Sequence, residues 1–464
     1  MQFRISRRAK PLMRAPLLAP ELIVNVTKAL RTTGFGALSV VLALYLREQQ
    51  FSELAIGAIL SATLIEDALF TVASALLVQK FGMRAVLISA SALICICGLL
   101  LMCNCPQWLI VTALVLGIVS PSGFEGGPFA AIEQSVIARN TLSEGLTRAY
   151  SDYNLWGFAG AAGGALLAGL IVGNSLHPGH SYHFIFACYA ASGMLLAWLY
   201  SILPLAAEKA VSEQIAHHKR VLQSVSARAK ESRAKSLSYV HWLAGLQCID
   251  AFGGGFVTQS ILSYWFVMRF HTDPAFLGCL FCATNVLAAV SFWAAPFVAK
   301  RFGLLATMVF THLPCSMALC LMPFLPTAGL AAALLLFRSI FSSMDIPARQ
   351  AYTMLLVVPE DRPYAAALTS SARAMAQALA PIFSGWSLAN VAFALPFVYA
   401  GALKSIYDLS MFARFSSVPF VSDSQNAEVD FLAPATPLGL QLPEEDFGEL
   451  ARLAAKKQVQ VGAM

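Results

Sequence analysis

From residue 28 to residue 413 the chain returns again and again to apolar runs of one length. SALICICGLLLM (91–102) and LIVTALVLGIV (109–119) are the cores of two of them. A helix needs about 20 mostly apolar residues to cross a bilayer. Backbone groups inside lipid must be satisfied within the protein, which leaves helices or a closed barrel. These runs lack the apolar-polar alternation of a barrel strand, so helices are expected. Charge usage agrees: 12% of the residues are charged and 58% are apolar, where a soluble domain carries about 25% charged residues.

Twelve such runs can be placed, at 28–47, 54–79, 85–104, 108–137, 149–172, 183–203, 239–268, 275–299, 304–325, 328–357, 365–389 and 391–413. The expected fold is an all-α integral membrane protein with twelve transmembrane helices in two pseudo-symmetric six-helix bundles. Its expected parts are a basic tail (1–27), an N-terminal bundle (28–204), a central loop (205–238), a C-terminal bundle (239–413) and a second tail (414–464). Loops on one side hold 19 Lys and Arg, seven of them in the central stretch, and loops on the other hold only Arg47 and Arg269. Basic residues stay cytoplasmic, so both termini and the central loop are expected there, in the cytoplasmic membrane. The basic start MQFRISRRAKPLMRAP has no cleavable apolar core behind it and reads as a retained tail.

The two halves repeat. LVQKFGMRAVLI (77–88) returns as FVAKRFGLLATM (297–308), and SEGLTRAY (143–150) is matched by PEDRPYAA (359–366), with an offset near 220 residues in both cases. Internal repeats mark secondary transporters that handle substrate between the repeats. The turn KFGMR resembles the signature loop of the major facilitator superfamily, G-x-x-x-D-R-x-G-R-R, although Gln79 stands at the acid position and Met83 at a basic one. SPSGFEGGPFAAIEQ (120–134), SMDIPARQAY (343–352) and GALKSIYDL (401–409) resemble a bacterial branch of that superfamily. The resemblance covers residues 20–413. It implies that helices 1, 4, 7 and 10 line a central cavity, that 2, 5, 8 and 11 flank it, and that 3, 6, 9 and 12 support it.

Ionised side chains are costly in the bilayer, so each one within a run is a candidate for function. Arg31 lies in helix 1, Glu66 and Asp67 in helix 2, Glu125 and Glu133 in helix 4, Asp250 in helix 7 and Arg373 in helix 11. Helix 10 carries Arg338, Asp345 and Arg349, which fall on one stripe at about 100° per residue. Helices 3, 6 and 9 carry no formal charge. Lys404 and Asp408 in helix 12 are four apart and are expected to pair with each other.

Pro128 and the pair Gly126–Gly127 predict a kinked or unwound segment in helix 4, facing water or protein. Glu125, deep in that segment, is a candidate proton carrier, and so is one of the adjacent pair Glu66 and Asp67, which point about 100° apart. Glu133 and Arg349 occupy matching repeat positions with opposite charge, and are expected to meet as an inner gate when that side is shut. In GFAGAAGG (157–164) the small residues predict close packing against another helix.

Ten cysteines, nearly all inside apolar runs, give neither a disulfide framework nor a metal site. No nucleotide-binding motif is present. The chain is expected to be a monomeric secondary transporter of a small solute, working in the lipid bilayer by alternating access with proton coupling. An enzyme, a cofactor and a nucleic-acid partner are not expected. The alternatives are an uncoupled or anion-selective facilitator, and a sensor or scaffold that keeps the fold without flux.

Overall fold

The structure is a computed structural model, and it describes residues 19–103, 105–123, 128–140, 143–175, 178–203, 227–357 and 361–416. Among these residues all regular structure is helical: fifteen α-helices and one short 3-10 turn. The first group is α1 (Pro20–Glu48), α2 (Glu53–Phe81), α3 (Met83–Met102), α4 (Gln107–Leu116), α5 (Phe129–Asn140), α6 (Ser143–Gly173) and α7 (Pro178–Ser201). The second is α8 (Ala227–Gly255), α9 (Gln259–Phe270), α10 (Pro274–Phe302), α11 (Leu304–Leu321), α12 (Ala328–Phe341), α13 (Asp345–Leu355), α14 (Arg362–Asn390) and α15 (Leu395–Phe415).

Each of the twelve expected runs contains helix, and among the described residues eight stretches suit a membrane crossing by length and composition. The other four expected runs coincide with α4 plus α5, α8 plus α9, α14 and α15. Two of these are interrupted, and the other two are diluted by Arg373, Lys404, Asp408 and other polar residues. The molecule is apolar outside and charged within. Leu76, Trp198, Trp293 and Phe324 are exposed, whereas Lys28, Arg31, Glu133 and Asp250 are buried. Water would reverse that arrangement, and a lipid surround favours it.

The described residues flanking 124–127 show a broken helix. α4 stops at Leu116, Ile118 and Gly123 have positive φ, and α5 begins only at Phe129. Two further interruptions lie inside runs expected to be continuous, at 256–258 between α8 and α9 and at 342–344 between α12 and α13. The first follows the triplet Gly253–Gly254–Gly255. A Cβ on Gly255 would collide with the Gln377 carbonyl of α14, so close helix approach selects glycine where the chain unwinds.

The repeated strings fold alike at their turns. Gly82 caps α2 with φ 85° and ψ 157°, and Gly303 caps α10 with φ 88° and ψ 160°. Both amides close the preceding helix, Gly82 on the Val78 carbonyl and Gly303 on that of Ala299, each at 2.9 Å. Only glycine takes this conformation without strain.

Within the groups the largest contacts are α1 on α6 and α3 on α7 in the first, and α8 on α14 and α11 on α15 in the second. The small face of α6 lies against α1, where a Cβ on Gly164 would strike the Thr33 carbonyl. The groups meet through α2 with α14, α6 with α10, and α1 with α9. Those contacts gather at one end. There Gly57 lies on Pro381 and Gly385, and Gly169 on Gly278. Tyr264 donates to Glu53 at 2.9 Å, and the Ile382 amide donates to Ser61 at 2.9 Å. This is the closed end of the molecule. α5 and α13, toward the opposite end, pack chiefly within their own groups.

Candidate functional site

Two buried charged clusters and one polar cavity account for most of the expected residues. In the first group, Arg31 on α1 and Glu133 on α5 form a two-armed pair, with Nη1 to Oε1 at 3.0 Å and Nη2 to Oε2 at 2.8 Å. Three hydroxyls complete the carboxylate's shell: Thr27 at 2.8 Å, Tyr200 at 2.6 Å and Tyr153 at 2.7 Å. The Arg31 guanidinium lies 4.5 Å over the Phe129 ring, and neither member of the pair is exposed. A planar fork matched to a carboxylate is the strongest form of ion pairing, and every partner comes from the same group of helices.

In the second group Asp250 on α8 is the hub. Arg373 from α14 reaches it at 2.7 Å and Lys404 from α15 at 2.6 Å. Arg349 approaches at 3.6 Å while pairing closely with Asp345, one turn earlier on α13. His312 on α11 stands between two acids, with Nδ1 2.9 Å from Asp408 and Nε2 3.6 Å from Asp250. Lys404 and Asp408, expected to pair with each other, therefore serve different partners. Helix facing, which spacing along α15 does not encode, made that choice.

Glu133 and Arg349 do not meet here. Each is engaged inside its own group, and the groups are closed at the other end of the molecule, whereas the expected pairing belongs to a state shut on the side of α5 and α13. Arg338, placed by helical spacing on one stripe with Asp345 and Arg349, is separated from them by the interruption at 342–344. Glu66 is buried, and among the described residues neither carboxylate oxygen has a hydrogen-bond partner. Asp67, one residue on, is partly exposed. Glu125 lies outside the described residues.

The cavity, about 210 Å³, lies where the interruption between α8 and α9 faces α10, α12 and α14. Thr258, Gln259, Asn285, Arg338, Ser339 and Gln377 supply its polar lining, and Phe281 and Leu335 part of its apolar wall. Thr258 stands at the N-cap of α9, yet its hydroxyl does not cap that helix.

Sequence reasoning missed His312, which was passed over because it adds no formal charge to an apolar helix. It also missed the cavity amides. The glycine triplet beside the 256–258 break was the available signal for them.

A family model described as the Major Facilitator Superfamily matches residues 25–337. An uncharacterized membrane protein of Saccharomyces cerevisiae is 24% identical over 416 residues, spanning 84% of this chain and 92% of that protein. Among solved structures, a D-xylose-proton symporter superposes with a TM-score of 0.65 at 15% identity, over 86% of this chain and 98% of that one. The nucleoside transporter NupG superposes with a TM-score of 0.63 at 12% identity, over 85% and 99%. At these identities the likeness is one of fold.

Proposed function

This chain belongs to the major facilitator superfamily, a family of membrane transporters and not of enzymes, and from that premise we propose that it is a proton-coupled secondary transporter of a small solute. It crosses the cytoplasmic membrane twelve times, in two six-helix halves that rock about the solute, with both termini in the cytoplasm. The observation that carries this reading is the polar cavity at the α8–α9 interruption, walled by the second group of helices with Ser122 as the contribution of the first. Secondary transporters hold their cargo at broken helices. Both ionic clusters close within their own half, which suits halves that move as rigid bodies.

Counterflow in proteoliposomes tests the reading. Purified protein should exchange labelled for unlabelled solute with no gradient imposed, and a protein that binds solute without exchanging it is a sensor instead. Orientation is tested separately: a cysteine at Ser224, in the central loop, should resist impermeant thiol reagents applied to intact cells, and labelling there would reverse the topology.

Proton coupling is assigned to Glu66. A bare carboxylate is costly away from water and without a partner, which suits this group to holding a proton during the cycle. Glu125 is the second candidate, from sequence alone. Glu66→Gln is expected to abolish accumulation driven by a pH gradient while leaving counterflow intact. Accumulation equal to the parent's would remove Glu66 from the coupling path.

A further inference from the structure

Among the described residues, four buried polar atoms have no hydrogen-bond partner: Thr258 Oγ1, Gln259 Nε2, Asn285 Nδ2 and Arg338 Nε. All four belong to residues that line that one space. Buried polar groups are nearly always paired, so four orphans on the residues around one cavity point to a ligand.

The chemistry of that ligand follows from the wall. Arg338 carries a permanent positive charge and can only donate. Among the described residues it forms no ion pair and no carboxylate lines the cavity. The acids in the same half are already committed: Asp250 to Arg373 and Lys404, and Asp345 to Arg349. A carboxylate ligand would pair directly with Arg338, which a neutral solute cannot do, and a cation would be repelled. The N-terminus of α9, twelve residues long, opens at the same place, and its first turn favours negative charge. Around it stand two amides and a hydroxyl. Ligand hydroxyls, which both donate and accept, satisfy such groups.

We propose that the cavity binds a small hydroxylated carboxylate, with the carboxylate at Arg338 and the hydroxyls at Thr258, Gln259 and Asn285. This assignment rests on the transporter reading for its biological sense but not for its test. Cargo then arrives as an anion, and Arg338 separates it from a sugar or polyol of the same size.

Binding is measured directly on detergent-purified full-length protein, by thermal shift and calorimetry. The probes are glycerate, gluconate and related hydroxy acids, each beside its neutral counterpart, glycerol or glucose. Hydroxy acids should stabilise the parent and neutral counterparts should not. Arg338→Gln should weaken binding by about tenfold to a hundredfold, the loss of one charged hydrogen-bonding group, and still elute as a single species. Asn285→Ala should weaken gluconate more than a carboxylate lacking hydroxyls, such as acetate. Preference for the neutral member of each pair, no binding of any acid at millimolar concentration, or acid binding undiminished in Arg338→Gln overturns the proposal. Counterflow of the same probes keeps the two readings apart. Flux of a neutral solute alone spares transport and sinks the anion site, whereas binding of acid without flux does the reverse.

Discussion

Glu133→Ala should leave little folded protein. The substitution removes an acceptor shared by Arg31, Thr27, Tyr153 and Tyr200. Arg31 then carries an unpaired charge at zero exposure. Removing one partner of a buried pair costs about 3–5 kcal/mol, and the two tyrosine hydroxyls lose their acceptor as well. Tyr153→Phe, which deletes one donor and leaves the ion pair, should cost only about 1 kcal/mol. The double variant Arg31→Met with Glu133→Met should recover much of the loss, because replacing both members of a buried pair is often close to neutral. Fluorescence-detected size exclusion and melting in detergent read all three. A Glu133→Ala protein that melts with the parent would mean that the cluster contributes nothing to the fold.

Asp250→Ala should be nearly as damaging, with a different signature. It strands Lys404, whose side chain is 9% exposed, and frees Arg373, which at 24% can still find water. Arg349 keeps Asp345, and His312 keeps Asp408. The loss is therefore concentrated on one lysine, at about 3 kcal/mol or more. Asp250→Asn with Lys404→Gln should restore most of the stability without restoring transport, because α8, α14 and α15 would no longer be tied through one carboxylate. If Lys404→Gln makes Asp250→Asn worse, the lysine has another partner that holds it. Melting temperature and counterflow, measured on the same preparations, separate the two effects.

The helices themselves were legible because apolar length is written in composition, and the turns at Gly82 and Gly303 were legible because a repeated Phe-Gly pair carried them. The interruption between α4 and α5 could be read from the glycines and prolines of that stretch. The break at 256–258 could not be read from hydropathy, since three unwound residues barely alter an average over a whole run. The charged residues were legible as participants but not as partners. Within a helix, spacing sets which residues share a face, so Asp345 and Arg349 could be seen as neighbours. Between helices, the partner depends on which faces meet, and this sent Lys404 to Asp250 and gave Asp408 to His312. Glu133 and Arg31, 102 positions apart, were each recognisable as costly and in need of a partner, yet nothing local joined them.

The balance of the Asp250 cluster bears on how the protein responds to membrane voltage. Three acids, Asp250, Asp345 and Asp408, stand against three permanent cations, Arg349, Arg373 and Lys404, all in one group of helices. In the rocking motion proposed above, those six charges would cancel, and Arg338 would be left as the charge that this group moves through the field. An elementary charge carried across the full field is worth about 2.3 kcal/mol per 100 mV; over a full cycle, in which Arg338 returns, the net charge moved would be that of the cargo and any coupled protons. A monovalent anion moving with one proton would be electrically silent. With two protons it would carry inward current, and an interior-negative potential would drive its uptake.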